Sequence, residues 1–88
     1  MFYIYILKSS KNNKYYVGCT NNVLRRVKEH NQGLSKYTKI GKPWESMYVE
    51  EYQFLSKARI REKQIKGWKK RSAIEKLLQL PSSSGLGQ

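Results

Sequence analysis

The sequence predicts an α/β chain of the α+β kind, with its elements in the order strand, strand, helix, strand, helix and a last short helix. Three observations predict it. Residues 2–7 read FYIYIL, a β-branched and aromatic run with no turn former inside it. The polar stretch Ser9-Ser10-Lys11-Asn12-Asn13 then leads into a second such run, which is how an antiparallel hairpin is written. Further on, Leu55, Ala58, Ile65 and Trp68 recur at steps of three or seven, the spacing of one helical face.

The first strand covers about residues 2–8. Phe2, Ile4 and Ile6 share one face of it; Tyr3, Tyr5 and Leu7 share the other. The second strand, KYYVGC, covers about 14–19, and Gly18 within it marks a bend or a close backbone approach. Thr20 or Asn21 caps a helix that runs to about residue 30, with Val23, Val27 and His30 on one stripe, Leu24 beside them and Gly33 as the stop. Residues 34–44 read as irregular, broken by Gly41 and Pro43. A third strand, ESMYVEEY, covers 45–52 with imperfect alternation. The main helix covers about 55–68 and weakens at Gly67. Ser72 and Glu75 have capping-box spacing ahead of Leu77-Leu78, so the last helix begins at Ser72. One domain over residues 1–78 and a flexible tail over 79–88 follow from this reading, since PSSSGLGQ cannot bury itself.

Length and charge narrow the function. Eighty-eight residues allow one domain and a small core. Eighteen Lys and Arg against six Asp and Glu give a formal net charge of +12. A field that strong selects polyphosphate partners, nucleic acid ahead of an anionic membrane surface. Cys19 is the only cysteine, which excludes an internal disulfide and suits a reducing compartment. With one His and no CxxC pair, a structural zinc site is not expected. The apolar run at the start is too short for a membrane span or a signal-peptide core, and neither a basic segment nor a cleavage site flanks it. The expectation is a cytoplasmic protein that meets nucleic acid and no membrane.

Four groups of residues are candidates for chemistry. Tyr5 and Tyr16 lie on adjacent strands and can share a face, although tyrosine is common in strands anyway. Arg26 and His30 stand four apart, on one face of the first helix. A guanidinium fork matches a phosphate, and an imidazole beside it can donate a hydrogen bond or exchange a proton. Taken singly, each is equally a surface arginine and a helix-closing histidine. Glu62 falls among the core-facing positions of the main helix. It is there as a salt-bridge partner of Arg59, Arg61 or Lys66, or as an oxygen ligand for a hard divalent cation. The fourth group interleaves basic residues with aromatics, which suits phosphate neutralisation and base stacking: Lys36, Lys39 and Lys42 around Tyr37 and Trp44, then Lys66, Lys69, Lys70 and Arg71 around Trp68. Trp68 reads as a core anchor, being on the apolar stripe; Trp44 is open.

In order and spacing these features resemble the GIY-YIG nuclease family, in its small stand-alone form. Tyr3-Ile4-Tyr5 stands at the first family tripeptide, with Tyr3 where Gly is usual, and Tyr16-Val17-Gly18 stands at the second. The segment from Thr20 to Asn31 resembles the family helix with its Arg at Arg26 and its His at His30; ARIREKQIKGW, residues 58–68, resembles the third motif with its Glu at Glu62. The resemblance covers roughly residues 2–78, and no Asn follows Glu62 where the family often has one. It implies a small three-stranded antiparallel sheet flanked by helices. It also implies a metal-dependent endonuclease that hydrolyses phosphodiester bonds with one divalent cation, Mg²⁺ or Mn²⁺, on DNA ahead of RNA. The implied catalytic set is Tyr5, Tyr16, Arg26, His30 and Glu62, with Glu62 on the metal and either tyrosine positioning or deprotonating the water. Arg26 would meet the charge on phosphorus, and His30 would move a proton or touch the phosphate. The alternative is a nucleic-acid-binding module that keeps the fold and the charge with little or no catalysis.

Overall fold

The structure is a computed structural model, in which residues 1–34, 38–68 and 70–79 are described. Its elements are β1 (Phe2–Ser9), β2 (Tyr15–Thr20), α1 (Val23–Asn31), β3 (Trp44–Tyr52), α2 (Leu55–Lys66) and α3 (Arg71–Leu78). The three strands form one antiparallel sheet in the order β2-β1-β3. β1 takes the centre because both of its faces are apolar or aromatic: Ile4, Tyr5, Ile6 and Leu7 are all buried. The imperfect alternation of β3 has a cause. Ile6 pairs with Tyr48 and Leu7 with Ser46, so Met47 is an extra residue, a bulge in the strand.

The sheet separates two cores. On one face Ile4, Ile6 and Val17 pack with Ala58, Ile65 and Leu77 from α2 and α3, and Trp68 packs against them as its helical stripe suggested. On the other, Tyr5, Leu7 and Trp44 pack with Tyr16, Val23, Val27 and Val49, so Trp44 is also a core anchor. Shortening fully buried Ile65 to Ala would cost about 2–5 kcal/mol, through lost contacts and the cavity left behind.

The helix ends differ from the sequence expectation. Asn22 caps α1, its side chain accepting from the Arg25 N–H at 3.0 Å, while Thr20 Oγ1 accepts from the Asn22 N–H at 3.1 Å in the turn before it. Gly33 follows the helix with φ +77°, the left-handed stop that its sequence position suggested. α2 ends at Lys66 and is closed by Gly67. The capping box at Ser72 and Glu75 does not form. α3 starts one residue earlier with Lys70 at its N-cap, and Glu75 instead takes an ion pair from Arg71 at 3.1 Å.

Two polar contacts fix the helices that flank the sheet. Asn31, at the end of α1, both donates to the Trp44 carbonyl and accepts from the Trp44 N–H, which ties the helix to the start of β3. On the opposite face Glu50 of β3 is buried and receives Arg61 of α2 at 3.0 and 3.1 Å, along with the hydroxyls of Tyr48 and Tyr52, each at 2.6 Å. Arg61 was a sequence candidate to pair with Glu62; it turns to Glu50 instead.

Candidate active site

Tyr5 stands opposite Gly18 in the β1–β2 register, and Leu7 stands opposite Tyr16, so both tyrosines project from the face that α1 covers. Their ring centroids are 6.3 Å apart. Gly18 has a steric reason: a Cβ there would overlap the Tyr5 hydroxyl and Cζ, and would come within 2.9 Å of Cε1. The missing side chain lets the phenol lie across β2 towards the open edge of the sheet.

His30, in the last turn of α1, lies over the same face. Its Nε2 is 3.1 Å from Tyr5 Oη and its Nδ1 is 2.6 Å from Thr38 Oγ1. The imidazole is fully buried and meets Tyr16 edge-on at 4.9 Å between centroids. Thr38 is held in turn by Trp44, whose indole N–H donates to the Thr38 carbonyl at 2.8 Å. Arg26, one turn before His30, donates to Glu29 Oε1 at 2.8 Å, and its guanidinium charge also acts on the Tyr5 phenol. Both His30 ring nitrogens and the Tyr5 phenol therefore have partners, and among the described residues no buried side-chain N or O lacks one.

The electrostatics follow from this packing. Burial pushes the Tyr5 phenol up to about 12, Tyr16 adds to the rise, and the neighbouring Arg26 guanidinium opposes it. Burial also holds His30 below the usual imidazole value, with the Arg26 charge second, so the ring is neutral at pH 7.

Glu62 approaches from α2, around the edge of β2. Its side chain is 14% exposed and accepts Lys66 Nζ at 2.9 Å, with Arg59 farther off at 3.9 Å. The Lys66 ammonium also lies 5.9 Å from the centroid of the Tyr16 ring, so one lysine spans the carboxylate and the phenol. Burial, and then the Glu62 charge, raises the pKa of Cys19 beside it. Two grooves open here. One, of 380 Å³, is lined by Cys19, Thr20, Arg25, Arg26, Glu29 and Arg59 among others; the second, of 570 Å³, by Tyr15, Tyr16, Ile65, Lys66 and Trp68 among others.

Tyr5, Tyr16, Arg26 and His30 thus form one cluster, and Glu62 joins it through Lys66. The basic residues divide. Lys39, Lys42, Lys66 and Lys70 are exposed. Arg71 is committed within the fold: it stacks on Tyr15 at 4.6 Å and donates to the Asn13 carbonyl and to Glu75. Lys36, Lys69 and the tail from residue 80 onward lie outside the described residues. Thr38 was missed in the sequence, because an irregular segment carries no periodicity to aim it. Glu50 had a signal, an acid flanked at i±2 by two tyrosines on the same strand face. Among the described residues no three His, Cys, Asp or Glu gather as a metal cluster, and no helix is long and apolar enough to cross a membrane.

Comparison with known proteins agrees with this fold. The family model of the GIY-YIG catalytic domain matches residues 1–77. A UPF0213 protein of Staphylococcus haemolyticus is 38% identical over 74 residues, covering 83% of this chain and 89% of that protein. A UPF0213 protein of Listeria monocytogenes is 44% identical over 57 residues, covering 64% of this chain and 62% of that protein, less than two thirds of its length. The solution NMR structure of a UPF0213 protein from Bacillus halodurans superposes with a TM-score of 0.59 at 30% identity, covering 98% of this chain and 89% of that one.

Proposed function

Since this chain belongs to the GIY-YIG family of nuclease domains, we propose that it is a divalent-metal-dependent endonuclease that hydrolyses phosphodiester bonds in nucleic acid, DNA ahead of RNA. The observation that carries the reading is the hydrogen-bonded chain Tyr5, His30, Thr38, which begins beside the partly exposed Arg26 guanidinium and runs inward to a sealed imidazole. A binding surface alone has no use for such a chain.

The residues divide the work as follows. The attacking water gives its proton to Tyr5 Oη as Tyr5 passes its own to His30 Nε2. The tautomer this requires carries its proton on Nδ1, where Thr38 Oγ1 accepts it. A phenol with a pKa near 12 is almost never ionised at neutral pH, so handing its proton to a neutral imidazole lets it act as a base without first ionising. His30 is sealed from solvent, which leaves it the proton and not the phosphate. Arg26, anchored by Glu29, offers its fork to the charge that grows on the phosphoryl oxygens. The leaving oxygen takes its proton from solvent, and His30 returns its own through Tyr5 Oη to the water at the site, which resets the relay.

Glu62 is the residue that would hold the cation. The fit is chemical: a carboxylate is a hard oxygen donor, Glu62 is only 14% exposed, and a hard cation needs only one or two carboxylates when waters and phosphate oxygens complete its shell. A bound divalent cation would polarise the phosphate and lower the pKa of water. The second reading, a binding module, is favoured by the two cations that already neutralise Glu62. Plasmid nicking in Mg²⁺ or Mn²⁺ against a chelator, with Glu62→Ala alongside, separates the two. The nuclease reading expects metal-dependent nicking that falls by orders of magnitude in the variant, with binding in chelator equal or improved. Wild-type nicking by Glu62→Ala would remove the metal site.

A further inference from the structure

Glu62 lies between two cations of its own helix, and they face different grooves. Arg59, three residues earlier, lines the groove beside Cys19 and Thr20, at the end of β2, together with Arg25 and Arg26. Lys66, four residues later, lines the groove beside Tyr15, Tyr16 and Val17, at the start of β2. α2 therefore runs against β2 in the opposite direction, along an edge that no other strand of the described residues covers. The Arg59 side chain is 66% exposed and that of Lys66 50%, against 14% for Glu62 between them. Seven residues of helix separate the two cations by about 10 Å along the axis. A nucleic-acid strand advances about 3.4 Å of helix axis per nucleotide, so the gap spans about three phosphate steps.

Building on the nuclease reading of Glu62, we propose that Arg59 and Lys66 grip phosphates upstream and downstream of the scissile one. One strand's sugar-phosphate backbone then lies along α2 and the open edge of β2, from the arginine groove to the tyrosine groove. Each cation exchanges a weak pairing with Glu62 for a phosphate, and the carboxylate is left to the metal. Lys57, on the same helix about 160° round from Arg59, faces away from this line and is exposed.

The test measures binding of a fluorescent DNA duplex in chelator across a salt series. All variants are built on Glu62→Gln, so that no carboxylate is left uncovered when a cation is removed. Arg59→Ala and Lys66→Ala should each flatten the slope of log affinity against log salt by about 0.9, the pair by about twice that, and Lys57→Ala by nothing. Slopes that match the Lys57→Ala control overturn the proposal. Nicking by the otherwise unaltered chain in Mg²⁺ is scored separately. Flattened slopes without nicking keep the strand path and sink the nuclease reading; nicking with unchanged slopes does the reverse.

Discussion

The Tyr5 hydroxyl occupies the space that a side chain on Gly18 would need, one residue across the β1–β2 ladder. The second family tripeptide ends in glycine here because the tyrosine of the first lies over it. Gly18→Ala should therefore displace the Tyr5 phenol from His30 and Arg26. An overpacking cost of about 1–3 kcal/mol is expected in chemical denaturation, with nicking reduced more than nucleic-acid binding. An alanine variant with unchanged stability and nicking would mean that the phenol is not confined as described.

Tyr5→Phe keeps the ring and deletes the relay. His30 Nε2 then loses its partner in a sealed site, which should cost about 1–3 kcal/mol by thermal or chemical melting. Nicking should fall by about 10²–10⁴, the usual contribution of a positioned proton acceptor, with Kd for DNA in chelator unchanged.

His30 is the only histidine, so its NMR titration can be followed without assignment ambiguity. Its folded pKa lies below the ordinary 6.5 because burial, then Arg26, disfavours the charged ring. Nicking should rise with pH through that depressed value and be level near pH 7. The stability sign agrees: the unfolded chain binds a proton first as pH falls, so this contribution is present above about 6.5 and lost on the way down to the folded value. A titration at or above 6.5 would contradict the buried, neutral ring.

Glu50→Gln tests the opposite face. Burial disfavours the Glu50 carboxylate, but the bonds from Arg61, Tyr48 and Tyr52 outweigh it and hold its pKa below 4.5. The variant should lose about 1.5–3 kcal/mol at pH 7, the range for bonds to a charged group. The wild-type advantage should vanish as pH falls through the depressed value, so the two melting curves converge in acid.

The strands, the two longer helices and most of their inward faces could be read from periodicity, because alternation and 3.6-residue stripes follow burial; Leu55, on the α2 stripe by spacing, is 41% exposed because it stands at the first position of the helix. Tyr5 and Tyr16 were placed together by a hairpin whose length sets its register. Thr38 was out of reach, since a loop residue is aimed by tertiary contacts, here the indole of Trp44. The choice of Asn22 over Thr20 and Asn21 as cap was equally out of reach: three neighbouring polar residues all suit the position by type, and only the turn geometry separates them. Arg61 was misdirected towards Glu62 because helical spacing knows nothing of a carboxylate on the strand beneath.

The cleft has two jaws with unlike fastenings. The α1 jaw, with its arginine and histidine, is latched by the amide of Asn31, which neither acid nor salt discharges. The α2 jaw, with the carboxylate, is latched by the Arg61–Glu50 ion pair, which acid does discharge. Acid below the Glu50 pKa therefore discharges the fastening of α2, whereas the Asn31 fastening of α1 carries no titrating group, and α1 meets acid instead through the charge forced on its buried His30.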